Sequence, residues 1–491
     1  MIRRAYPRLA RRSGSPTEWV LLVAASAAVA AATWILSDHS LVSLAVSIVS
    51  VGGAGLAVWL VPRNPGASFG VLLLLATASV VTLELPPGTM RLEQPGILAV
   101  GLALVAARRA PVDRTPIVLW VGVAALAYVL VLAASSALLA PVPLRSLIVT
   151  GWTALSIVGG AVAYVLLGRD PAAGARWLLI AGLVTASAGT LSGLLFWLFG
   201  PGWNLGIHGA FGPLPRVAGF AWEPNLYASF LAAIMVFAAA PLISRPTPRG
   251  TAALAFVLLA MGLAFTRGAY LGLAAGTVAL LGLAAWRLQS IPRVALVGVM
   301  IATFAAAGIG LYAVTLQHPG IAAQLAPPSS DVPGGEGPLP STVPALVEEY
   351  PDTLSFRLVR VPIALDDLAQ SPLIGLGAAS FGQRHLDPSR PGMPDHIAIL
   401  AVAALYEAGV IGAAALVLVF AMLAVALMRA LAASVDPHDV ATTAAYAAAI
   451  AALLVAYQAT NAIHFALNWL LIGAALAWTA ALLRRQAGQA N

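Results

Sequence analysis

The chain has 491 residues, of which only 9% are charged and 60% are hydrophobic, and its formal net charge is +7. A soluble globular protein carries roughly a quarter charged residues, so this composition excludes a water-soluble enzyme and a disordered scaffold. The 26 basic residues are all arginines, and most lie in short turns between apolar stretches, a pattern typical of membrane topology rather than of nucleic-acid binding. Cysteine is absent, which excludes disulfides, thiolate nucleophiles and cysteine-ligated metals.

Fourteen apolar stretches are candidates to cross a hydrocarbon layer about 30 Å thick. They fall near residues 17–37, 40–61, 67–83, 95–107, 116–139, 146–167, 177–199, 225–243, 251–265, 268–286, 294–315, 408–428, 440–460 and 465–483. We therefore predict an all-α polytopic membrane protein with about 12–14 transmembrane helices.

The predicted organisation has five parts. A tail of residues 1–16 precedes helices 1–11 in residues 17–315, and residues 316–407 form a large loop. Helices 12–14 follow in residues 408–483, and residues 484–491 form a second tail. The first apolar stretch follows a charged segment as a signal peptide would, but its length favours retention as an anchor.

The arginines predict the orientation. If the first tail is cytoplasmic, the loops on the cytoplasmic side hold 18 arginines and the loops on the outer side hold eight. Positive residues are enriched on the cytoplasmic side of membrane proteins, so both termini are predicted to be cytoplasmic, in a bacterial cytoplasmic membrane. The large loop then faces outward.

The large loop divides into a Pro/Gly/Ser-rich part and a more ordered part. Residues 319–344 are predicted to be a mobile loop. From Leu354 onward, apolar residues recur at helical spacing, which predicts an amphipathic helix that is kinked at Pro362 or begins there. Residues 396–406 are predicted to form a separate surface helix, which would place Glu407 at the outer interface.

Arg267 is the most informative of the outward arginines. The apolar run before it has fifteen residues and rises only about 22 Å as a helix, so Arg267 is predicted to lie below the outer surface. A guanidinium at membrane depth usually faces a polar cavity or a partner. The alternative is an interfacial arginine that closes a tight turn.

The other outward arginines divide into two groups. Arg91 and Arg145 lie near the ends of spans and are predicted to be solvated or to snorkel. Arg357 and Arg360 are three residues apart and would share a helix face, where two guanidinium groups can bind a pair of phosphates. The alternative is a solvated face paired with neighbouring aspartates. No spacing typical of a zinc site, a Walker A loop, a dinucleotide-binding loop or a nucleophile elbow occurs.

Four short motifs follow one another on the predicted outer side. The first runs from Arg216 to Asn225 (RVAGFAWEPN), and the second is the turn TRGA from Thr266 to Ala269. The third combines Arg357-Leu358, Ala364-Leu365 and PLIGLG at 372–377, and the fourth combines His396 with EAGVIG at 407–412. Together they resemble the O-antigen ligase and polymerase family of bacterial membrane glycosyltransferases, which use polyprenyl-pyrophosphate-linked glycans. The resemblance covers roughly residues 210 to 415, and Thr266, Val361 and Ile397 depart from the family pattern.

The resemblance implies a GT-C-like fold and a role for each matching residue. Arg267 and Arg357 would hold the donor pyrophosphate, and His396 would be the general base. Arg216 would assist the phosphates, while Glu223 and Asn225 would shape the pocket floor or form an ordinary turn at the start of a span. Arg360 occupies a position that is not usually basic in the family. Glu407 would orient a substrate hydroxyl or solvate a helix end. No metal or other cofactor is implied.

The resulting hypothesis is an enzyme that transfers a glycan from a polyprenyl-pyrophosphate donor to an acceptor hydroxyl on a glycan, a lipid or a protein. Two alternatives stay open, a protein O-oligosaccharyltransferase and a transporter or flippase of lipid-linked glycans. A transporter of this kind carries ionisable groups near the bilayer midplane. Here the charged residues concentrate at the ends of spans, which favours the enzyme.

Overall fold

A computed structural model describes the greater part of the chain. The described residues are 41–78, 82–85, 88–107, 116–199, 207–208, 216–219, 221, 223–288, 290–316, 353–385 and 397–489. The first predicted span, the predicted mobile loop, His396 and Arg390 lie outside these residues.

The described residues form a largely helical protein with two short two-stranded sheets. The helices are α1 (Leu41–Arg63), α2 (Pro65–Thr77), α3 (Glu93–Ala106), α4 (Pro116–Leu138), α5 (Pro143–Leu167), α6 (Ala172–Phe199), α7 (Pro224–Ser244), α8 (Pro248–Ala264), α9 (Arg267–Leu288), α10 (Ile291–Leu316), α11 (Thr353–Leu368), α12 (Ser380–His385), α13 (Leu400–Ala433), α14 (Pro437–Ala456) and α15 (Ala466–Gln489).

Helices α4 to α7, α9, α10 and α13 to α15 are the nine described helices that are long and apolar enough to cross a membrane. Helices α2, α3 and α8 and part of α1 are shorter and apolar. Each apolar stretch predicted after the first coincides with one of these helices. The chain is therefore an all-α, multi-pass membrane protein, as its composition predicts, and its exposed apolar faces suit a lipid bilayer.

Several helices begin at a proline after a polar residue. Asn64 accepts a hydrogen bond from the backbone N–H of Ala67 at 3.0 Å, at the start of α2. Thr247 caps α8 in the same way, and Asp436 accepts from His438 at 2.7 Å before α14. Proline suits the first helical position because its missing N–H has no partner there. These local signals fix where the helices begin.

The helices pack closely where one of them presents glycine. A methyl group at Gly272 of α9 would lie 2.6 Å from the carbonyl oxygen of Ala452 of α14. A methyl group at Gly473 of α15 would overlap the carbonyl oxygen of Gly160 of α5. Lipid supplies no hydrophobic force between helices, so close backbone approach through small residues is a main source of packing energy.

Hydrogen bonds and ring contacts show which helix ends lie together. One end of the bundle, which we name the motif end, carries the hairpin of β1 (Thr82–Leu85) and β2 (Gly88–Arg91), the loop 457–465, and the turn at 265–266, whose neighbour Gly268 packs on Ala459. At the opposite end, Arg287 donates to the carbonyl oxygen of Ser434 at 2.7 Å, and Arg485 lies 3.3 Å from Asp439.

Helix α11 contains Pro362 within it rather than at its start, so the expectation that the helix begins at Pro362 is wrong. Leu358 and Leu365 on this helix are exposed, whereas Arg360 and Ala364 are buried. The buried face therefore includes a guanidinium group, which a reading of the apolar pattern alone does not predict.

Helix α13 is interrupted at Gly409, whose backbone (φ 62°, ψ −170°) is not helical. The predicted separation of a short helix from the following span is therefore confirmed. The short helix begins at Leu400 and not at residue 396, because residues 397–399 are not helical.

Candidate functional site

The first two family-like stretches meet at the motif end. Arg216 and Val217 form β4, which pairs with β3 (Ile207–His208). The hydroxyl group of Thr266 donates a hydrogen bond to the carbonyl oxygen of Pro224 at 3.4 Å. The TRGA turn therefore lies directly beside the start of α7, where Glu223 is half-buried and Asn225 is buried.

The turn between α8 and α9 holds Arg267 in a defined place. Phe265 ends α8 in a left-handed conformation (φ 39°), which is rare for a residue other than glycine and costs of the order of 1–3 kcal/mol. Such strain clusters at functional sites. Arg267 is exposed and is the first residue of α9, where the helix dipole adds to its attraction for an anion.

The third and fourth stretches bind each other through the break in α13. The N–H groups of Leu376 and Gly377 donate to the carbonyl oxygens of Tyr406 and Glu407 at 2.8 and 3.0 Å. In return, the N–H groups of 410 and 411 donate to carbonyl oxygens of 372 and 373. The loop 372–377 therefore replaces the hydrogen bonds that the helix loses at Gly409.

Arg357 and Arg360 occupy different environments, although both lie on α11. Arg360 is only 3% exposed, and its guanidinium carbon lies 5.9 Å from the centre of the Phe381 ring. Arg357 is half-buried. The two side chains are therefore not equally exposed, and Arg357 is the more accessible of the two.

Glu407 is buried and is engaged within the protein. Its carboxylate oxygen Oε1 accepts a hydrogen bond from the N–H of Ala379 at 3.1 Å, and Oε2 lies 3.5 Å from Nε2 of His464. Its backbone carbonyl oxygen also accepts from the hydroxyl of Ser135 at 2.8 Å. The expectation of an interfacial, solvating carboxylate is therefore corrected: Glu407 connects three parts of the chain.

The loop 457–465 lies next to several of these elements. The N–H of Leu400 donates to the carbonyl oxygen of Tyr457 at 3.0 Å. Gly268 packs so closely on Ala459 that a methyl group at Gly268 would lie 2.5 Å from the methyl group of Ala459. His464, at the end of the loop, faces Glu407. This loop lies outside the resemblance, so the sequence motifs do not predict that it is part of the site.

Arg91 also lies at the motif end. Its guanidinium carbon is 3.8 Å from the centre of the Phe465 ring and 5.8 Å from that of Trp152. Burial lowers the pKa of Arg91, and the nearby Glu93 carboxyl opposes this shift. The expectation that Arg91 is simply solvated or snorkels is therefore wrong.

A second polar cluster ties the segments around α11 to α13. Oδ2 of Asp367 lies 2.5 Å from Nε2 of His385 and accepts a hydrogen bond from the hydroxyl of Tyr406 at 2.9 Å. Arg384 donates to the carbonyl oxygen of Leu139 at 2.8 Å, at the end of α4. These contacts fix α11 and α12 against the bundle.

His396, the predicted general base, lies outside the described residues. Its neighbour Ile397 is buried in a cluster with Phe381, Ala364 and Tyr406. Within the described part of the chain, no group of three or more histidine, aspartate or glutamate side chains is placed to hold a metal ion.

The fold and composition thus define a polytopic α-helical membrane protein with a polar cluster at one end of its bundle. No family model matches the chain, and no curated protein matches it. The interpretation of the cluster therefore depends on its residues and their geometry.

Proposed function

We propose that the protein is an integral membrane glycosyltransferase of the O-antigen ligase or polymerase type. It transfers a glycan from a polyprenyl-pyrophosphate donor to an acceptor hydroxyl. The observation that carries this proposal is that the four family-like stretches, separated by many residues in sequence, pair with one another at one end of the bundle. The loop 457–465 borders both pairs.

The proposed reaction is a direct displacement. The acceptor oxygen forms a bond to the anomeric carbon, while the bond from that carbon to the pyrophosphate breaks and its electron pair leaves with the phosphate. Arginine can stabilise the leaving charge through charge-assisted hydrogen bonds. Arg267, exposed at the start of α9, suits this role, and Arg357 and Arg216 assist it.

The remaining residues support these steps. The acceptor hydroxyl must lose its proton, and the resemblance assigns this proton to His396. Asn225 and Glu223 form the floor beside the arginines, at the start of α7. Arg360 acts from a buried position and supports the shape of the loop rather than the phosphates. Glu407 acts within the protein rather than on the sugar. No metal takes part in the proposed reaction.

The proposed orientation places the motif end on the outer side of a bacterial cytoplasmic membrane, with both termini in the cytoplasm. The opposite end carries Arg287, Arg429 and Arg485, which agrees with the usual excess of positive charge on the cytoplasmic side. We further propose that the bundle is GT-C-like. The donor then reaches the site from the outer leaflet.

Enzyme action is favoured over transport by the placement of charge. Within the described spanning helices, arginine, aspartate and glutamate lie in the first or last third of each helix. A transporter that carries an anionic lipid headgroup through the bilayer places such groups near the midplane.

The test uses purified protein in nanodiscs with a chelator and a fluorescent undecaprenyl-pyrophosphate-linked trisaccharide. Unlabelled donor, a glycolipid and a serine-containing peptide serve as three separate acceptors. We expect transfer to one acceptor by the wild type, and a loss of about 100-fold or more in Arg267→Ala. Arg357→Ala should lower transfer as well.

The matched control is Arg176→Ala, because Arg176 is 63% exposed and lies outside the motif end. It should transfer at the wild-type rate. Normal transfer by Arg267→Ala would contradict the proposed arginine role. A wild type that binds or moves the lipid-linked glycan without transfer would support the transporter instead.

A further inference from the structure

His464, which lies outside the resemblance, and Glu407, which lies within it, form an acid–histidine pair that is largely shielded from solvent. The two side chains are 15% and 6% exposed. Oε2 of Glu407 lies 3.5 Å from Nε2 of His464, and Nδ1 of His464 lies 2.6 Å from the hydroxyl oxygen of Thr153. Three elements, α5, α13 and the loop 457–465, therefore position one imidazole ring.

One tautomer of His464 suits the role of a base. The hydroxyl group of Thr153 has one proton, and when it donates this proton to the carbonyl oxygen of Val149 at 3.1 Å, its oxygen accepts from Nδ1–H of His464 at 2.6 Å. In that tautomer of the neutral ring, Nε2 presents its lone pair toward Glu407.

This arrangement creates a site for one additional proton. An unprotonated Nε2 and a carboxylate both present lone pairs, whereas a proton on Nε2 gives an imidazolium ion beside a carboxylate. Glu407 is held in place by the N–H of Ala379, which bonds to its other oxygen. The carboxylate therefore stabilises the protonated ring without leaving its position.

The surroundings of the pair include two further ionisable groups. Tyr128 on α4 interacts electrostatically with Glu407, and Arg91 on the hairpin stacks on Phe465, the residue after His464. The ring of His464 retains partial exposure at the motif end. A separation of 3.5 Å also exceeds a normal hydrogen bond, so a hydroxyl group that binds at Nε2 displaces no short hydrogen bond to Glu407.

We propose that His464 takes the proton of the acceptor hydroxyl, with Thr153 and Glu407 as its positioning residues. This inference rests on the proposed glycosyltransferase function. The O–H bond of the acceptor breaks as an N–H bond forms at Nε2, and the acceptor oxygen bonds to the anomeric carbon. The pyrophosphate leaves with the electron pair of its bond to that carbon. His464 thereby has the role that the resemblance gives to His396.

The experiment compares the pH dependence of kcat for the wild type, His464→Gln, Glu407→Gln and His396→Gln in the transfer assay. We expect kcat of His464→Gln to fall by about 10²- to 10⁴-fold and to lose the decline at acidic pH that protonation of the pair produces. Glu407→Gln retains an acceptor for the N–H of Ala379 but not the charge, so kcat should fall while KM changes little.

A matched pair of variants tests the orientation of the ring. Thr153→Ser keeps the hydroxyl that accepts from Nδ1 and should retain kcat, whereas Thr153→Val should lower it. His438→Gln serves as the control, because His438 is exposed at the start of α14. Thermal melting of each variant separates a loss of fold from a loss of proton transfer.

The outcomes distinguish this inference from the proposed function. If the wild type transfers with dependence on Arg267 but His464→Gln keeps its rate and its acidic decline, the inference is wrong and the function stands. The same holds if only His396→Gln removes the decline. If the wild type transfers to no acceptor, the proposed function itself fails.

Discussion

Arg357 and Arg360 lie on one helix but in different environments. Their spacing of three residues predicts a common face, yet Arg360 is almost fully buried near Phe381 while Arg357 is half-buried. A buried guanidinium contributes packing and hydrogen bonds to the fold. A more accessible one can contact a ligand.

We therefore expect opposite results from two substitutions. Arg360→Ala should lower the free energy of unfolding by about 1–3 kcal/mol, because it removes a buried charged side chain from its contacts. Arg357→Ala should keep the melting temperature within about 2 °C but reduce glycan transfer. Melting in detergent and the transfer assay measure the two effects. Equal destabilisation by both variants would contradict the distinction.

For single residues, the local sequence predicts the position in a helix or turn better than the contacts that the side chain makes. Arg267 is the first residue of a helix and follows a tight turn, which is the arrangement given as the alternative to a position below the outer surface. The environments of Arg91 and Glu407 were not predictable. Glu407 meets Ser135 across 272 residues of sequence, and Arg91 meets the ring of Phe465. No local pattern encodes such contacts.

The helices themselves follow from local signals. Apolar runs set their lengths, and proline after a capping residue sets several of their starts. The break at Gly409 was also predictable, because glycines interrupt a run too long for one span. The segment that pairs with this break was not predictable. The loop 372–377 supplies the missing hydrogen bonds from another part of the chain.

Close packing of α9 on α14 gives a prediction with an internal control. Gly272→Ala should destabilise the protein by about 1–3 kcal/mol, because the added methyl group would lie 2.6 Å from a backbone carbonyl oxygen and push the helices apart. Gly282 lies on the same helix, and a methyl group there meets nothing within 4 Å.

Gly282→Ala should therefore leave stability unchanged or raise it by up to about 1 kcal/mol, since alanine favours the helix. Thermal melting in the same detergent compares the two variants directly. An equal gain of stability in both variants would show that helix propensity, and not interhelical packing, dominates at these positions.

The whole molecule brings together stretches that are distant in sequence. The start of α7 meets the turn before α9, and the loop 372–377 meets the break in α13. The loop 457–465 borders both, through Ala459 beside Gly268 and Tyr457 beside Leu400. A short connection between two apolar runs has no pattern that predicts this central place, so the pairing of His464 with Glu407 is seen only in the structure.

The proposed route of the donor depends on the orientation of the bundle in the membrane, and the cysteine-free sequence makes this orientation directly testable. A single cysteine can be placed at Ala369, which is exposed after α11, or at Val435, which is 91% exposed at the opposite end. Because arginines concentrate at the opposite end, we expect that end to be cytoplasmic.

A membrane-impermeant maleimide applied to intact spheroplasts should label Ala369→Cys and leave Val435→Cys unlabelled until the membrane is permeabilised. Wild-type protein, which has no thiol, is the blank. The reverse pattern would place the arginines of the motif end in the cytoplasm, where a donor carried by the outer leaflet does not reach them. In that case the site would have to act on a lipid-linked glycan before its export, and the proposed location of the site on the outer side of the membrane would be wrong.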